Sequence, residues 1–352
     1  MFADMLSELK HAQHYIFMEY FIVRPGIMWD TIFDLLKQKI KSGIKVYMMY
    51  DDVGSIISMP KRIERQIRES GVNLCVFNPI KFHISTMLNS RDHRKIMVID
   101  GKTAFCGGIN LADEYINKVE RYGHWKDTGV RVKGDAVRSF VLMFLQQWSF
   151  AAHEHLPIDN FVTHCEPCKT DGKIHVFDDS PLDSHNITET VYLNAIGHAK
   201  QYIYITTPYL IIDYAMMQAL CFAAISGVDV RIYTPHSYDK WLVHIVTRSN
   251  YARLINSGAK IFEYSPGFMH AKMLVSDDNI CIVGTCNMDF RSFYLHFECS
   301  VLMYESSTVL KVKEDMLSCE VISHEITIEE TQNVGLCTRI LRTFLRVLSP
   351  LM

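Results

Sequence analysis

Hydrophobic and polar positions follow the same order twice along the chain. The segments "HAQHYIFMEYFI", "KSGIKVYMMY" and "RESGVNLCVF" in the first half resemble "HAKQYIYITTPYLI", "ISGVDVRIYT" and "INSGAKIFEY" in the second. Self-similarity over so long a period indicates a duplicated structural unit. Each copy predicts helix, strand, helix, glycine turn, strand, helix, glycine turn and strand, followed by a hairpin.

The helices between the first two strands of each copy predict the fold class. The segments "WDTIFDLLKQKIKSG" and "AMMQALCFAAISG" space their apolar residues at three and four and end at a glycine. Strands rich in β-branched and aromatic residues follow closely, which is the βαβ pattern of a sheet covered on both faces. We therefore predict two homologous α/β lobes, residues 1–155 and residues 156–352. The second range includes a linker, because the segment from about 152 to 190 fits neither unit.

Each lobe carries one polar motif after its third strand, in "DHRKIMVIDGKTAFCGGIN" and "MHAKMLVSDDNICIVGTCN". The equivalent positions are His93, Lys95, Asp100 and Asn110 in the first copy and His270, Lys272, Asp277 and Asn287 in the second. A hairpin turn at Asp100-Gly101 predicts that residues whose numbers sum to about 203 face each other, with His93 opposite Asn110. The same construction sets His270 opposite Asn287. The two aspartates belong with the histidines and lysines to the candidate catalytic motif, although they lie at the turns, where capping of the hairpin is their plainest role. The glycines at 107, 108 and 284 leave the backbone open to a ligand.

Two sets of imidazole, ammonium and carboxamide groups, one from each motif, suit a phosphodiester substrate. Two lysines and two amides can bind its non-bridging oxygens and neutralise their charge, so no metal and no cofactor is expected. One histidine can attack phosphorus, while the other, protonated, supports the leaving group and later takes a proton. Each imidazole also needs a carboxylate to fix its tautomer, and Asp127 and Glu298, at equivalent places downstream of the motifs, are the candidates.

The motif H-x-K-x4-D followed by G-[GT]-x-N, present twice, resembles that of the phospholipase D superfamily over nearly the whole chain. Segments such as "YDDVGS", "HWKDTGVRVKGDAV", "GTCNMDFRSF" and "LSPLM" resemble bacterial cardiolipin synthases. The resemblance implies two lobes packed pseudo-symmetrically around one shared active site. It also implies a phosphatidyl transferase that joins two phosphatidylglycerol molecules and releases glycerol, with His93 as the phosphohistidine nucleophile and His270 as acid and base. A hydrolase of the same superfamily and an inactive membrane-binding scaffold remain alternatives.

Two departures from that family accompany the resemblance. Its members usually begin with two membrane-spanning helices, whereas no segment here approaches the ~18 uninterrupted apolar residues that such a helix needs. His296 also stands where the family usually has asparagine. We expect the protein at the cell membrane, peripherally or through an anchor absent from this chain, with the lobes on the cytoplasmic side.

The C-terminal stretch "LCTRILRTFLRVLSPLM" predicts a basic amphipathic helix. It carries Leu336, Ile340, Phe344 and Val347 on one side and Arg339, Arg342 and Arg346 on another. Such a helix can lie on an anionic membrane or pack on the second lobe. The aromatic and Met-rich segments before the two motifs, "FNPIKFHISTM" and "SPGFMH", are candidates for an acyl-chain entrance.

Charge and cysteine usage refine these expectations. A net charge of -3 and a pI of 6.6 provide no basic field for nucleic acid, which is not expected as a partner. Scattered cysteines in apolar runs are typical of reduced, buried thiols. The cluster "HCEPC" (His164, Cys165, Cys168) has half of a metal-binding spacing and is interpreted as an interdomain loop.

Overall fold

The computed structural model describes residues 1–56, 58–80, 89–162 and 172–347. The first half contains α1 (Phe2–His11), β1 (Tyr15–Tyr20), α2 (Ile27–Lys41), β2 (Lys45–Asp51), α3 (Asp52–Ser55), α4 (Lys61–Glu69), β3 (Asn73–Phe77), β4 (Arg91–Asp92), β5 (Lys95–Ile99), β6 (Thr103–Gly107), β7 (His124–Lys126), β8 (Gly129–Lys133) and α5 (Val137–Ala152). This is the order of elements that the repeat predicts. The predicted helix over 29–43 begins two residues earlier and ends at Lys41.

The second half repeats the order with additions. It contains β9 (Lys173–Asp179), α6 (Ile187–His198), β10 (Tyr202–Thr206), β11 (Leu210–Ile211), α7 (Tyr214–Ile225), β12 (Asp229–Pro235), α8 (Trp241–Asn256), β13 (Lys260–Tyr264), β14 (Gly267–Met269), β15 (Met273–Ser276), β16 (Ile280–Gly284), β17 (Met288–Asp289), α9 (Phe290–Tyr294), β18 (His296–Tyr304), α10 (Ser307–Glu320), β19 (Ser323–Glu325), α11 (Ile328–Gln332) and α12 (Leu336–Val347). Strand β9 lies in the segment predicted as a connection. It pairs antiparallel with β18, a partner that local composition does not reveal.

The two sheets have matching strand orders. In the first lobe the order is β3-β2-β1-β5-β6-β8, and in the second the series β13-β12-β10-β15-β16-β18 repeats it. Strands β1, β2 and β3 are parallel to one another, as are β10, β12 and β13, because a helix crosses back between each pair. Strand β1 is buried along its whole length, so its sheet is covered on both faces as predicted.

Three cores hold this arrangement together. One packs α1 and α2 on the outer face of the first sheet, and another packs α6 and α7 on the outer face of the second. The third lies between the lobes and contains residues of both, such as Phe17 and Phe144 from the first lobe and Tyr204 and Val301 from the second. The two lobes therefore share one hydrophobic interior, which makes their relative position part of the fold.

Within these cores, the cysteines at 75, 106, 221, 281, 286, 299 and 319 are free, buried thiols. The cluster His164, Cys165 and Cys168 lies outside the described residues. Within the described ranges, no helix combines the length and the apolar character needed to cross a bilayer.

Candidate active site

Two short parallel strand pairs connect the lobes where the motifs lie. Strand β4, which leads into His93, pairs with β18 of the second lobe, and β14, which leads into His270, pairs with β7 of the first. The backbone N–H of His93 donates to the carbonyl of Phe297 at 3.0 Å, and that of His270 donates to the carbonyl of Lys126 at 2.7 Å. His93 is thus fixed to β18, which carries Glu298, and His270 is fixed to β7, which directly precedes Asp127.

The carboxylates consequently reach the histidines in a crossed arrangement. His93 Nδ1 lies 2.8 and 3.0 Å from the two carboxylate oxygens of Glu298, and His270 Nδ1 lies 2.7 Å from Asp127 Oδ2. The sequence analysis predicts both carboxylates as histidine partners but does not predict that each serves the other lobe. With Nδ1 engaged, Nε2 of each ring is the nitrogen available for chemistry.

Burial determines the protonation of these pairs. It lowers the pKa of His93 well below its usual range and lowers the pKa of His270 to about 4, against the opposing effect of each carboxylate. Burial by itself raises the pKa of Asp127 and Glu298, but the neighbouring histidines and lysines outweigh it and both pKa values are lowered. Without substrate, these shifts favour charged carboxylates and neutral imidazoles.

Both lysines lie in the same buried space. Lys95 and Lys272 are each 1% exposed, and each donates its Nζ to the carbonyl of the motif histidine two residues before it. Burial lowers the pKa of Lys95 to about 8 and that of Lys272 to about 7. The charge of Lys95 also lowers the pKa of His270 in the other lobe, so the two motifs belong to one electrostatic site.

The asparagines follow the second strand of each hairpin and differ in their contacts. The side-chain oxygen of Asn110 accepts from the Ile22 backbone N–H at 2.9 Å, and its Nδ2 donates to the Tyr115 hydroxyl at 2.8 Å. Asn287 Nδ2 donates to Asp289 at 3.2 Å, and its buried Oδ1 has no hydrogen-bond partner among the described residues. Each amide nitrogen has a second N–H besides the one donated in these contacts, and a phosphate oxygen could accept from it without displacing a protein partner.

The aspartates of the two motifs lie at the other end of their hairpins. Asp100 accepts from the backbone N–H groups of residues 13–15 at 2.7–2.9 Å, and Asp277 accepts from those of residues 200–202 at 2.7–2.9 Å. A strand rises about 3.3 Å per residue, which puts each aspartate roughly 20 Å from its motif histidine. The structure does not bring Asp100 and Asp277 to the histidines, and their contacts tie the hairpin turn to the start of the first strand of the lobe.

The hairpin register differs by one residue from the prediction. Ile96 pairs with Cys106, whereas a sum of 203 requires Gly107, and Met273 pairs with Val283 rather than Gly284. Three residues, 100–102, form the first turn instead of two, with Asp100 and Gly101 at positive φ. The asparagines therefore reach the site from the segment beyond the ladder, not from the position opposite the histidine.

The motif glycines make room for protein rather than for a ligand, which corrects the sequence interpretation. A Cβ at Gly108 would lie 2.1 Å from Asp127 Oδ1, and one at Gly284 would lie 2.1 Å from Ser300 Oγ. Gly107 has φ 152° and faces the backbone of Thr128. Gly108 in particular provides the space in which the carboxylate partner of His270 lies.

Three side chains that sequence reasoning missed complete the site. The Tyr115 and Trp125 rings lie 5.6 and 5.0 Å from the ring of His270, and Trp125 Nε1 donates to Asp127 at 3.3 Å. Thr285 donates its hydroxyl to Glu298. Trp125 and Thr285 lie inside the segments "HWKDTGVRVKGDAV" and "GTCNMDFRSF", but none of the three belongs to a spacing pattern.

This geometry agrees with what comparison with known proteins finds. A sequence model of the family "Cardiolipin synthase, PLD-like domain" matches residues 5–123 and 192–319, one match in each lobe. The chain belongs to this cardiolipin synthase, phospholipase D-like family.

Relatives of this family match over the whole chain. An uncharacterized protein of Streptococcus mutans serotype c is 40% identical over 351 residues, covering 100% of this chain and 76% of its own. A cardiolipin synthase of Alkalihalophilus pseudofirmus is 37% identical over 353 residues, covering 100% of this chain and 70% of its own. The crystal structure of phosphatidylserine synthase from Haemophilus influenzae Rd KW20 has a TM-score of 0.76 at 12% identity, covering 100% of this chain and 93% of that one, which shows a shared fold.

His296 lies at the edge of the site. Its ring centroid is 5.5 Å from that of His93, and its Nδ1 lies 3.8 Å from Glu298 Oε1. One ligand atom from each of His93, His296 and Glu298 lies within 4.8 Å of the others, and among the described residues this is the group that could hold a metal ion. The Glu298 carboxylate is already engaged by His93 and Thr285, and the buried His296 Nδ1 has no hydrogen-bond partner among the described residues.

The structure also bears on how this member of the cardiolipin synthase family meets a lipid. Phe268 and Met269 are fully buried, so the segment "SPGFMH" does not form an acyl-chain entrance, and residues 81–88 of the other candidate segment lie outside the described residues. Helix α12 packs on α8 through Leu341 and Leu345, which favours the second alternative for the C-terminal stretch. The side chains of residues 336, 339, 340, 346 and 347 and all of residues 348–352 lie outside the described part.

Proposed function

We propose that this chain is a phosphatidyltransferase of the cardiolipin synthase type, which joins two phosphatidylglycerol molecules into cardiolipin and releases glycerol. The observation that carries the proposal is the crossed pair of imidazoles. One from each lobe is held at Nδ1 by a carboxylate of the other, beside two buried lysines. Such a site suits nucleophilic displacement at a phosphodiester without a metal. The family and its cardiolipin synthase relatives support phosphatidylglycerol as the substrate.

The reaction proceeds in two displacements. In the first, Nε2 of His93 attacks phosphorus, the bond from phosphorus to the glycerol oxygen breaks, and His270 gives its Nε2 proton to that oxygen. In the second, the free hydroxyl of another phosphatidylglycerol gives its proton to His270 and attacks phosphorus, and the phosphorus–nitrogen bond breaks. His93 and His270 return to their starting states. The choice of His93 as nucleophile follows the family resemblance, because the crossed contacts are similar in the two lobes.

Substrate binding would set the protonation states of the two histidines that these two displacements need. The phosphodiester brings a negative charge next to His270, whose pKa burial lowers in the free site. An adjacent anion raises the pKa of an imidazole and favours its charged form. The lysines bind the non-bridging oxygens and neutralise the charge that builds there. We propose Asn110 and Asn287 as further phosphate ligands, each through the second N–H of its amide.

The limited exposure of the site favours transfer to a lipid hydroxyl over transfer to water. His93 and His270 are each 8% exposed. A covalent intermediate in so enclosed a site meets few water molecules once two lipid headgroups fill it. The substrate implies work at an anionic cell-membrane surface, and the free thiols suit the cytoplasmic side.

Mass spectrometry of phosphatidylglycerol liposomes after incubation with the protein tests the proposal. A four-chain product supports the transferase, phosphatidic acid would indicate the hydrolase, and unchanged lipid would indicate a binding scaffold. His93→Ala and His270→Ala should each abolish the product, whereas His198→Ala, on the exposed end of α6, should not. A chelator should leave turnover unchanged. Loss of turnover with EDTA and its return with a divalent ion would overturn the role given to the lysines.

A further inference from the structure

Exposed apolar side chains occur in the segment that follows the second parallel strand of each lobe. After β2, Val53 and Ile56 are 40% and 53% exposed. After β12, the exposed fractions are 50% for Tyr238, 54% for Trp241 and 44% for Leu242. We call these five side chains the rim residues. Exposure of a tryptophan or leucine side chain to water is unfavourable. Single exposed apolar residues are nevertheless common on protein surfaces, whereas a group of them indicates a binding surface.

In the first lobe, the rim residues lie beside the catalytic segment. Asp51, at the end of β2, accepts from the backbone N–H of Asp92 at 3.0 Å, one residue before His93. Ser55 donates to the carbonyl of Phe21 at 3.1 Å, and the Phe21 ring lies 5.1 Å from that of His93. Val53 and Ile56 flank this serine, so they lie at the edge of the site formed by the first motif.

The second lobe repeats the placement. The Ser237 backbone N–H donates to the carbonyl of Gly267 in β14, the strand that leads into His270. Asp239 accepts from the hydroxyl of Tyr209, and Tyr209 packs against the aromatic cluster that contains Trp125. Trp241 and Leu242 follow directly as the first residues of α8. The loops at the carboxyl ends of the parallel strands thus place apolar side chains at both sides of the candidate active site.

The charges around the rim residues favour an anionic partner. Lys61 and Arg62 at the start of α4 and Lys240 before α8 are exposed. The acidic residues nearest in sequence have partners within the protein: Asp52 accepts from the Ile80 backbone N–H at 2.7 Å, Glu64 forms an ion pair with Arg68 at 2.9 Å, and Asp239 accepts from Tyr209. Aromatic and aliphatic tips next to cations are the combination that binds the interface of an anionic bilayer.

We infer that the rim residues, with Lys61, Arg62 and Lys240, form the docking surface of this protein for an anionic phospholipid bilayer. The inference deepens the proposed function, on which it rests for the identity of the lipid. Insertion of Trp241 and Leu242 on one side and of Val53 and Ile56 on the other would hold the site over the headgroup layer. A phosphodiester headgroup could then reach the histidines while its acyl chains remain in the membrane.

Flotation of the protein with vesicles of phosphatidylglycerol or of phosphatidylcholine tests the inference. We expect wild-type protein to float with the anionic vesicles and both Trp241→Ser/Leu242→Ser and Val53→Ser/Ile56→Ser to bind them at least tenfold more weakly. The matched control is Phe222→Ser/Ile225→Ser, because these side chains are 63% and 69% exposed on the outer face of α7. This control should float like wild type.

A second measurement separates docking from chemistry and from misfolding. The ratio of turnover on phosphatidylglycerol vesicles to turnover on monomeric short-chain phosphatidylglycerol should fall about tenfold in the rim variants and stay constant in the control. Lys240→Glu should weaken flotation with phosphatidylglycerol about fivefold or more, as one surface cation contributes about 1 kcal/mol on an anionic leaflet.

Flotation does not require turnover, so absence of any transferase activity would defeat the proposed function and leave the docking result standing. Equal binding by wild type, rim variants and control would overturn the docking surface, and so would equal loss in the control.

Discussion

At the scale of single residues, each imidazole depends on a carboxylate of the opposite lobe. Glu298 holds His93 and Asp127 holds His270, and both carboxylates are ionised because charged or hydrogen-bonding neighbours outweigh the effect of burial on their pKa. A carboxylate in this position fixes the Nδ1–H tautomer and stabilises the cation when Nε2 takes a proton. The two partners should therefore be needed for different steps.

Replacement of each carboxylate by its amide tests this division. Glu298→Gln and Asp127→Asn should each lower kcat by about 10²–10⁴-fold, because the amide removes the negative charge that supports the imidazole. Glu298→Gln should slow formation of an acid-labile phosphoenzyme in rapid-quench experiments with labelled phosphatidylglycerol. Asp127→Asn should slow both proton transfers. Asp278→Asn, in an exposed turn, is the control, and wild-type kcat in either site variant would contradict the assignment.

The lowered pKa values of the lysines predict how activity depends on pH. Lys272 and Lys95 lose their charge with pKa values of about 7 and 8 in the free protein because they are buried. Phosphodiester binding needs the charged forms, so kcat/KM should fall as pH rises above about 7 to 8, well below the pKa of an unperturbed lysine. The alkaline limb of kcat should lie at higher pH, since the bound anion raises both pKa values. A kcat/KM that stays constant up to pH 10 would show that the lysine charges are not used.

At the scale of elements, the motif aspartates serve the hairpin rather than the reacting atoms. Asp100 accepts hydrogen bonds from three backbone N–H groups at the start of β1, and Asp277 accepts them from three at the start of β10. Asp100→Ala should lower the free energy of unfolding by about 2–4 kcal/mol, because three buried or half-buried donors lose a charged acceptor. The kcat of the folded fraction should change less than about threefold. Urea unfolding and activity of the same preparation measure both quantities, with the exposed turn variant Lys102→Ala as control. A stable but inactive Asp100→Ala variant would show that these aspartates take part in the reaction.

Sequence patterns predict the elements of this fold better than the contacts between them. The period of the apolar positions in "WDTIFDLLKQKIKSG" places α2 within two residues, because an amphipathic helix on a sheet needs that period. The predicted register of the hairpin is wrong by one residue, because the length of the turn depends on the positive φ of Asp100 and Gly101. The pairing of β9 with β18 and the crossing of the carboxylates join segments over 100 residues apart, and no local pattern encodes such pairs. Equivalent sequence positions identify Asp127 and Glu298 as a pair but not the lobe that each one serves.

At the scale of the whole molecule, the lobes are one unit for folding as well as for chemistry. Residues of both lobes fill the central core, and Cys106 and Cys299 lie with their sulfurs 3.4 Å apart across the lobe boundary. The strand pairs β4–β18 and β7–β14 join the lobes at the site itself. Separation of the lobes would expose the central core and remove the carboxylate from each histidine at the same time. Activity should therefore disappear in the same step in which the lobes come apart.

Thiol labelling during unfolding tests this cooperativity. Cys75 in the first lobe and Cys281 in the second are buried, and burial raises their pKa to about 11 and about 12, so neither should react with N-ethylmaleimide in the native state. Brief labelling at increasing urea concentration, followed by peptide mass spectrometry, should give the same midpoint for both cysteines and for loss of turnover, since one shared core favours a single transition. Cys221, on α7 away from the central core, reports whether the outer helices open earlier. Separate midpoints for Cys75 and Cys281 would mean that each lobe is stable by itself, and the shared core would then contribute little to holding the two halves of the site together.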